Sequence, residues 1–539
     1  MKFDPTFVPY PSIRYPIYAN RGMVAASSPQ ASAAGLEVLR RGGNAIDAIV
    51  ATAAALTVVE PTANGIGSDA FALIWIEKER KLYGLNGSGW APRDISIEKV
   101  LAKNPPERKM PVHGWTPTMV PGAPKTWAAL NGRFGDLPLT DVLAPAIDYA
   151  KAGYPAAPNL ARMWGLALNR YQKYRQMPEF TEWFKTFAPE GNAPKTGGLV
   201  RLPNHGDTLQ KIAESGAEDF YKGELAERIV ADSRKFGGYF CKEDFSEYDV
   251  TWVEPAKVNY RGYEVCEVPP NGQGLVALMA LNILKEFEFT QKESADTFHK
   301  QWEAMKLAFA DGMHYIADPK AMTLDYHDLL KPGYGALRAR EIGERAGLPV
   351  FGTPPKSGTV YLCAADGKGN MISYIQSNYM GFGSGIVIGG TGISLQNRGA
   401  DFSLDPNHAN CLQPRKKTYH TIIPGFLLKD GAAVGPFGVM GGYMQPQGHV
   451  QVAMNLIDFN LNPQQALDAP RWQWLREDRF TVEDSFSIEI AKLLAAKGHK
   501  VEVALDSVAF GRGQMILRGP EGCLIGGTEK RTDSNIACF

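Results

Sequence analysis

The chain has 539 residues, and its 57 Lys and Arg residues balance 57 Asp and Glu residues, so the formal net charge is zero. This balance argues against a nucleic-acid binder and against a polybasic membrane-surface protein, because both carry a basic excess. Hydrophobic residues make up 44% and charged residues 21%, which is typical of a globular protein and excludes disorder over the whole chain. No apolar run reaches the ~20 residues of a membrane helix.

The length predicts two to four domains, or one large fold with extensions. The first 22 residues contain four prolines and no apolar core of the kind that marks a secretory signal, so we expect a cytoplasmic protein. The six cysteines lack C-x-x-C spacing, which favours reduced thiols over a disulfide framework.

The first third of the chain predicts two helices followed by a hairpin. Ser28-Pro29 precedes a helical pattern over 31–41, and Gly42-Gly43 ends it. The next helix, predicted over 45–58, is rich in alanine, so it can approach a sheet or another helix closely and is expected to be sandwiched between layers. Apolar stretches at 70–76 and 82–85 flank a charged turn and predict two antiparallel strands.

The middle of the chain is predicted to be mostly helical, at 140–152, 208–215, 225–236 and 299–315. Pro145 predicts that the first of these helices starts late or kinks. The last has Trp302, Met305 and Phe309 on one face, which we expect in the core, with Lys300 and Lys306 elsewhere. Proline-rich connectors are expected at 105–124 and 351–355.

The last third begins with a predicted hairpin, 359–365 and 370–376, joined by a turn at 366–369. A glycine-rich stretch follows at 381–399, and helical patterns return at 448–458, 463–469 and 487–497. Hairpins beside helices at both ends of the chain predict antiparallel sheets covered by helices.

Common catalytic motifs are absent from the sequence. There is no G-x-S-x-G elbow, no H-E-x-x-H pair and no phosphate-binding loop of the Walker type. Nine histidines are dispersed without ligand spacing. We therefore expect neither a metal site nor a cofactor.

The pair Gly358-Thr359 follows the second connector and opens a predicted strand. A threonine hydroxyl is a weak nucleophile within a chain, but as a first residue it can use its own α-amine as the base. That amine titrates near ~7.7–8.0, which suits general base catalysis at neutral pH. Glycine before threonine is permissive for a strained, self-cleaving bond. On these residues alone the signal is weak, since a Gly-Thr pair opening a strand is ordinary.

Longer motifs carry a resemblance to a known family. They run in order along the chain: GGNAIDAIVATAAALTVVEP at 42–61, NGIGSDAF at 64–71, VPGAPKTW at 120–127, PPNGQG at 269–274, EAMKLAFADG at 303–312 and NPQQALDAPRW at 462–472. The chain resembles the gamma-glutamyltransferase family of N-terminal-nucleophile hydrolases. The most specific motif is TVYLCAADGKGN at 359–370. In this family a threonine seven residues before the aspartate of such a turn becomes a new N-terminus, and Thr359 precedes Asp366 by seven residues.

The resemblance implies an α+β fold of the αββα sandwich type, made by cleavage between Gly358 and Thr359. The products would be a large subunit, 1–358, and a small subunit, 359–539, which remain partners in one intertwined core. A homo-oligomer of this heterodimer is left open. The substrate would be a small-molecule amide, and neither nucleic acid nor membrane is expected as a partner.

The resemblance also implies catalytic roles. Thr359 would form an acyl-enzyme, with its freed amine as the base. Ser377, eighteen residues later, could orient Thr359. Gly441 and Gly442, in FGVMGGYMQPQGH, would form the oxyanion hole, since adjacent glycines let backbone N–H groups converge on one oxygen. From the residues alone, Gly441-Gly442 would be read as a simple turn.

The substrate-binding positions depart from the family's glutamyl-binding members. Ser88 stands where those members have an arginine for the substrate carboxylate, while the aspartate that meets the substrate amine is retained as Asp401. The other differences are Tyr379 for an asparagine, Arg398 for a glutamine, and His420-Thr421 for two serines. The stretch NRGADF at 397–402 resembles the branch of acylases and small-amide hydrolases. Structural roles for Arg398 and Asp401 remain alternatives.

Three functional hypotheses follow. The first is an amidohydrolase that cleaves a small, oxamate-like acid-amide through a Thr359 acyl-enzyme. The second is a gamma-glutamyl hydrolase or transferase acting on glutathione-like substrates with a rearranged carboxylate site. The third is a non-catalytic relative that binds a small acid or amide, against which the retained Thr359, Ser377 and Gly441-Gly442 argue.

Overall fold

The computed structural model describes Tyr10 and residues 14–103, 109–348 and 358–539. The strands in these ranges are β1 (Ile17–Ala19), β2 (Gly22–Ala26), β3 (Asp69–Ile76), β4 (Lys81–Gly87), β5 (Tyr154–Pro155), β6 (Leu199–Val200), β7 (Thr251–Val253), β8 (Ala256–Tyr260), β9 (Tyr263–Glu267), β10 (Gly358–Asp366), β11 (Met371–Tyr379), β12 (Gly425–Lys429), β13 (Ala432–Met440), β14 (Trp472–Arg476), β15 (Arg479–Glu483), β16 (Lys500–Ala504), β17 (Arg512–Arg518), β18 (Leu524–Thr528) and β19 (Asn535–Cys538).

The α-helices in the same ranges are α1 (Pro29–Arg40), α2 (Ala45–Val59), α3 (Ile97–Lys103), α4 (Ala123–Phe134), α5 (Leu139–Ala152), α6 (Pro158–Tyr171), α7 (Thr181–Phe187), α8 (Pro203–Ser215), α9 (Glu218–Lys222), α10 (Glu224–Lys235), α11 (Lys242–Ser246), α12 (Gly274–Leu284), α13 (Ala295–Tyr315), α14 (Tyr326–Leu329), α15 (Pro332–Ala339), α16 (Met444–Ile457), α17 (Pro463–Asp468) and α18 (Ile488–Ala496).

Two seven-stranded antiparallel sheets form the centre of the described structure. One has the order β19-β2-β10-β11-β3-β4-β7, and the other has the order β1-β18-β17-β13-β12-β9-β8. Alternate side chains of β10 divide between two cores: Tyr361 and Cys363 face the other sheet, whereas Val360 and Leu362 face the helices. This alternation follows from the two-residue period of a strand, and both faces of the sheet are therefore buried.

Helices cover the outer face of each sheet. The first sheet packs against α1, α2 and α4, with α5 against α2, and the second packs against α12 and α16, with α13 against α12. The layers are helix, sheet, sheet, helix, so the predicted αββα sandwich is confirmed.

Helix α2 is buried along its whole length, as its alanine-rich sequence predicts. Asn44 caps its first turn, and the Asp47 carboxylate accepts a hydrogen bond from the Asn44 backbone N–H in return. Helix α1 crosses α2 so closely that a Cβ added at Gly35 would lie 2.3 Å from the Thr52 hydroxyl oxygen. Small side chains thus allow this helix to lie between its neighbours.

Other elements depart from the sequence prediction. Helix α5 begins at Leu139 and contains Pro145 in its interior, so the late start is excluded and a kink at Pro145 stays a prediction. Lys306 was expected away from the core face of α13, yet its side chain is buried and its ammonium pairs with Glu303. The carboxylate offsets the cost of burying the cation, which hydropathy alone cannot foresee.

The six cysteines are free thiols, in agreement with the sequence prediction. No helix among the described residues is long and apolar enough to cross a membrane. The connector at 351–355 lies outside the described residues, as does part of the connector at 105–124.

Candidate active site

Thr359 lies at the start of β10, where the register with β11 shifts between Gly358 and Val360. Its side chain is fully buried, and its Oγ1 atom lies 3.0 Å from the Oγ atom of Ser377 on β11. The backbone N–H of Tyr379 donates to the same Ser377 oxygen at 2.8 Å. The predicted nucleophile and its predicted orienting hydroxyl are therefore in direct contact.

The guanidinium of Arg398 lies against these hydroxyls. It stacks 4.1 Å above the ring centre of Tyr379, and its Nη1 donates to the Oγ1 of Thr421 at 2.7 Å. Its Nη2 lies 3.5 Å from Ser377 Oγ, and its Nη1 lies 3.6 Å from Asp401 Oδ2. Four of the five predicted substrate-binding residues thus form one cluster beside Ser377 and Thr359.

Asp401 is a buried carboxylate in the short 3₁₀ turn Arg398–Asp401. Its Oδ1 accepts a hydrogen bond from the Tyr379 hydroxyl. Burial raises the pKa of Asp401 to about 6, although Arg398 acts in the opposite direction. Within the described residues, Asp401 Oδ2 and Arg398 Nε have no hydrogen-bond partner. Unsatisfied buried polar atoms are costly, so a polar ligand between them would be stabilised.

His420 contacts Asp69, which lies in the motif NGIGSDAF and has no role predicted from the sequence. Its Nε2 lies 3.1 Å from Asp69 Oδ2, while its Nδ1 accepts from the backbone N–H of Ile422 at 3.3 Å. The other Asp69 oxygen accepts from the N–H groups of Gly89 and Gly122. Burial lowers the pKa of His420 well below its usual range and raises the pKa of Asp69 to about 7. His420 is therefore a neutral donor.

Ser88 does not present its hydroxyl as a free donor. The side chain is buried, and its Oγ donates to Asn86 Oδ1 at 2.7 Å and lies 3.2 Å from Asn271 Oδ1. The Ser88 hydroxyl is thus paired within the protein. Among the described residues, Arg398 is the cation that lies beside Ser377 and Thr359.

Gly441 and Gly442 form the turn between β13 and α16, with φ angles of +140° and +61°. The carbonyl of Gly441 accepts from the Met444 N–H at 3.1 Å, and that of Gly442 accepts from the Gln445 N–H at 3.1 Å. Neither glycine N–H has an acceptor among the described residues. Two unpaired donors on consecutive residues are what an oxyanion hole requires.

The strand that begins near Thr359 (β10) and the strand that leads into the glycine turn (β13) face each other across the sandwich. The ring of Tyr361 on β10 lies so close to Gly438 on β13 that an added Cβ at Gly438 would be 2.4 Å from it. Thr359 precedes Tyr361 by two residues, and Met440 follows Gly438 by two. β10 and β13 are therefore in contact across the sandwich, two residues from Thr359 and two residues from the end of β13.

Gln273 connects the glycine turn to the Arg398 cluster, a contact that its motif PPNGQG does not predict. Its Nε2 donates to the carbonyl of Thr421 at 2.6 Å and to the carbonyl of Gly442 at 2.8 Å. A continuous series of polar contacts therefore runs through Thr359, Ser377, Arg398, Thr421, Gln273 and Gly442. No sequence pattern marks such contacts, because the residues are far apart in the chain.

A second polar cluster lies outside this site. Ligand-type atoms of His299, Glu303 and His499 lie within 4.8 Å of one another, and all three residues are buried. His299 Nδ1 lies 2.8 Å from His499 Nε2, and the Lys306 ammonium pairs with Glu303 and donates to the carbonyl of Gly347. A lysine cation already neutralises the carboxylate, so we assign no metal to this cluster.

Comparisons with known proteins show the family of the chain. The family model described as gamma-glutamyltranspeptidase matches residues 31–539. The chain belongs to this family. It is 36% identical to the glutathione hydrolase-like YwrD proenzyme of Bacillus subtilis strain 168, over 96% of this chain and 98% of that protein. It is 33% identical to the oxamate amidohydrolase proenzyme of Klebsiella pneumoniae subsp. pneumoniae, over 97% of this chain and 99% of that protein.

Among solved structures, the cephalosporin acylase from Bacillus halodurans is 57% identical and superposes with a TM-score of 0.95, covering 100% of this chain and 99% of that chain. The predicted family and the predicted N-terminal-nucleophile hydrolase fold are therefore confirmed.

Proposed function

We propose that this protein is a self-processing amidohydrolase with Thr359 as its nucleophile. Cleavage of the bond between Gly358 and Thr359 yields a large subunit, 1–358, and a small subunit, 359–539. The two pieces stay together because β10, from the small subunit, is paired with β2 and its partner β11 with β3, both from the large subunit. The names of the relatives support this proposal, since two of them are called proenzymes.

The observation that carries the proposal is the 3.0 Å contact between the hydroxyl oxygens of Thr359 and Ser377. After cleavage, the α-amine of Thr359 takes the hydroxyl proton as Oγ1 attacks the amide carbonyl carbon. The carbonyl oxygen becomes an oxyanion that the N–H groups of Gly441 and Gly442 stabilise. The amine then returns the proton to the leaving nitrogen, and water hydrolyses the resulting ester by the same steps in reverse order.

The surroundings of Arg398 support a compact acid-amide as the substrate. Its Nη2 and the Thr359 hydroxyl both lie against Ser377 Oγ, at 3.5 Å and 3.0 Å. The distance from Arg398 Nη2 to Thr359 Oγ1 therefore cannot exceed the sum of these two distances. A carboxylate bound to Arg398 then lies close to the carbonyl under attack. In an oxamate-like molecule the carboxylate carbon is bonded directly to the amide carbonyl carbon, so the two groups are close together. In a γ-glutamyl group four bonds separate the two carboxyl carbons, so the chain must fold back to bring them equally close.

A second candidate is an acylase that removes a short carboxylated acyl group from a larger amine. The 57% identity and TM-score of 0.95 with the Bacillus halodurans cephalosporin acylase favour it. Both candidates place the acid on the acyl side, at Arg398, and they differ only in the size of the leaving amine.

A hydrolysis screen with the processed protein tests this proposal. The panel contains oxamate, its N-phenyl derivative (oxanilate) and a γ-glutamyl anilide, and release of ammonia or aniline is measured for each. We expect a higher kcat/KM for oxamate or oxanilate than for the γ-glutamyl anilide. Faster turnover of oxanilate than of oxamate selects the acylase. A preference for the γ-glutamyl anilide contradicts the proposed substrate class.

A further inference from the structure

The Gln273 side chain is fully buried at the junction of the glycine turn and the substrate-side loop. Its two amide hydrogens reach two backbone carbonyls, those of Thr421 and Gly442, at 2.6 and 2.8 Å. Its Oε1 accepts from the Tyr419 hydroxyl at 3.1 Å. Both donors and an acceptor lone pair of this amide are thus in use, which fixes its orientation.

The backbone around Gln273 strengthens this connection. Its N–H donates to the carbonyl of His420 at 2.9 Å, and the N–H of His420 donates to the carbonyl of Asn271 at 2.9 Å. Gln273 also precedes α12, whose residues from Gly274 to Leu284 are all buried. Gln273 is therefore anchored at the start of a packed helix, which restricts its movement.

Gly442 requires such support because it lacks a side chain that could restrict its backbone. Its φ of +61° is one of many angles open to glycine. The carbonyl of Gly441 is held by the Met444 N–H, which fixes the peptide plane before Gly442. The carbonyl of Gly442 is held by Gln445 N–H and by Gln273, which fixes the plane after it. Among the described residues, Gln273 is the side chain that does this.

We propose that Gln273 is a positioning residue for the reaction: it orients the oxyanion-binding turn by holding the carbonyl of Gly442. It acts through the backbone and does not touch the reacting atoms. The inference rests on the proposed function, because it assigns the Gly441-Gly442 N–H groups to the oxyanion. The same amide also holds the carbonyl of Thr421, and it thereby sets the spacing between that turn and Arg398.

The first variant is Gln273→Met, which keeps the volume and removes both hydrogen-bond donors. The matched control is Gln451→Met. Gln451 is also a buried amide, and it donates to the carbonyls of Gln447 and Trp472 at 3.1 and 3.0 Å and accepts from the Trp472 N–H at 3.2 Å. The two substitutions remove the same set of bonds, one at the glycine turn and the other away from it.

We expect Gln273→Met to lower kcat by about 10- to 100-fold on the best amide of the panel, with a smaller change in KM, because displacement of a catalytic group by ~1 Å has effects of this size. Gln451→Met should lower the melting temperature by a similar amount and leave kcat within about twofold, since it leaves the turn in place. Equal losses of kcat in the two variants would assign Gln273 a purely structural role and overturn the inference.

A second variant, Gln273→Glu, keeps the shape of the side chain. The ionised carboxylate has no donor for the two carbonyls, whereas the protonated acid has one. The activity of the variant relative to the wild type should therefore rise as the pH falls. A ratio that stays flat with pH contradicts the proposed donor role.

Amide hydrogen exchange measures the turn without any substrate. Loss of the Gln273 donor should speed exchange at Met444 and Gln445 by about tenfold, because their acceptors are the two glycine carbonyls. Gln451→Met should leave these two amides protected. If the wild type hydrolyses no amide of the panel, the proposed function fails, while this experiment still decides whether Gln273 holds the turn. Unchanged exchange in Gln273→Met overturns the inference.

Discussion

The hydroxyl groups of Thr359 and Ser377 face each other across neighbouring strands with 3.0 Å between their oxygens. The Tyr379 N–H occupies one acceptor position of Ser377 and so limits how that hydroxyl can rotate. A fixed neighbour of this kind restricts the rotamer of Thr359, and a positioned nucleophile gains rate because less freedom is lost in the transition state.

Cleavage between Gly358 and Thr359 is the first testable consequence. We expect intact-mass measurement of the purified protein to show two pieces, 1–358 and 359–539. Thr359→Ala should remain one chain, because it has no hydroxyl to attack the bond before it. It should also be inactive. Thr359→Ser keeps a hydroxyl and is the matched control that should still be cleaved. A fully active wild-type protein that remains unsplit would contradict the mechanism.

The sequence predicted the fold well where local patterns determine it. The alanine-rich sequence of α2 and the hairpin of β10 and β11 are properties of single segments, and the structure contains both. Lys306 was misplaced because its burial depends on the Glu303 carboxylate.

The sequence motifs predicted only part of the candidate site. The contact of Thr359 with Ser377 agrees with the family resemblance. The pairing of His420 with Asp69 was not foreseen, because 351 positions separate the two residues. Gln273 was missed for a similar reason: its partners lie on a loop and a turn more than 140 positions away.

Disruption of the glycine turn should lower turnover. Gly442 has a φ of +61°, where a β-branched residue is strained, so Gly442→Val should rotate its N–H away from the oxyanion. We expect kcat to fall by about 100-fold or more, the typical effect of one lost oxyanion donor. Gly431→Val is the control: Gly431 has a φ of +69° in the β12–β13 turn, with open space around it. Steady-state kinetics and circular dichroism compare the two, and near-normal turnover in Gly442→Val would remove Gly442 from the site.

The pH dependence of kcat and KM should differ. If the Thr359 amine is the base, kcat should rise through an ionisation near or below ~7.7–8.0. Asp401 has a pKa raised to about 6, so it becomes protonated as the pH falls through 6 and no longer neutralises Arg398. The KM of a substrate with an acyl-side carboxylate and no ammonium should therefore decrease below about pH 6.

Asp401→Asn checks this assignment, because it should abolish the change in KM and leave the ionisation that controls kcat. A substrate that carries an ammonium group should show the opposite trend, since protonation of Asp401 removes its partner. A KM that does not vary between pH 5 and 8 in the wild type would contradict the role given to Asp401.

The last prediction concerns the carboxylate partner. Truncation of Arg398 alone leaves the buried Asp401 without its cation, a change that costs ~3–5 kcal/mol in stability, so we combine Arg398→Met with Asp401→Asn. This pair removes both charges and keeps the site neutral. A charged hydrogen bond contributes ~1.5–3 kcal/mol, so the KM for an acyl-side carboxylate should rise by about 10- to 150-fold.

Arg398→Lys should recover part of the affinity, because an ammonium keeps the charge and loses the forked pair of donors. Asp401→Asn alone serves as the control for the second substitution. KM values are measured for the preferred panel amide and for the γ-glutamyl anilide side by side. Efficient γ-glutamyl turnover, with KM unchanged in the double variant, would show that the substrate carboxylate binds elsewhere and that Ser88 was given too much weight.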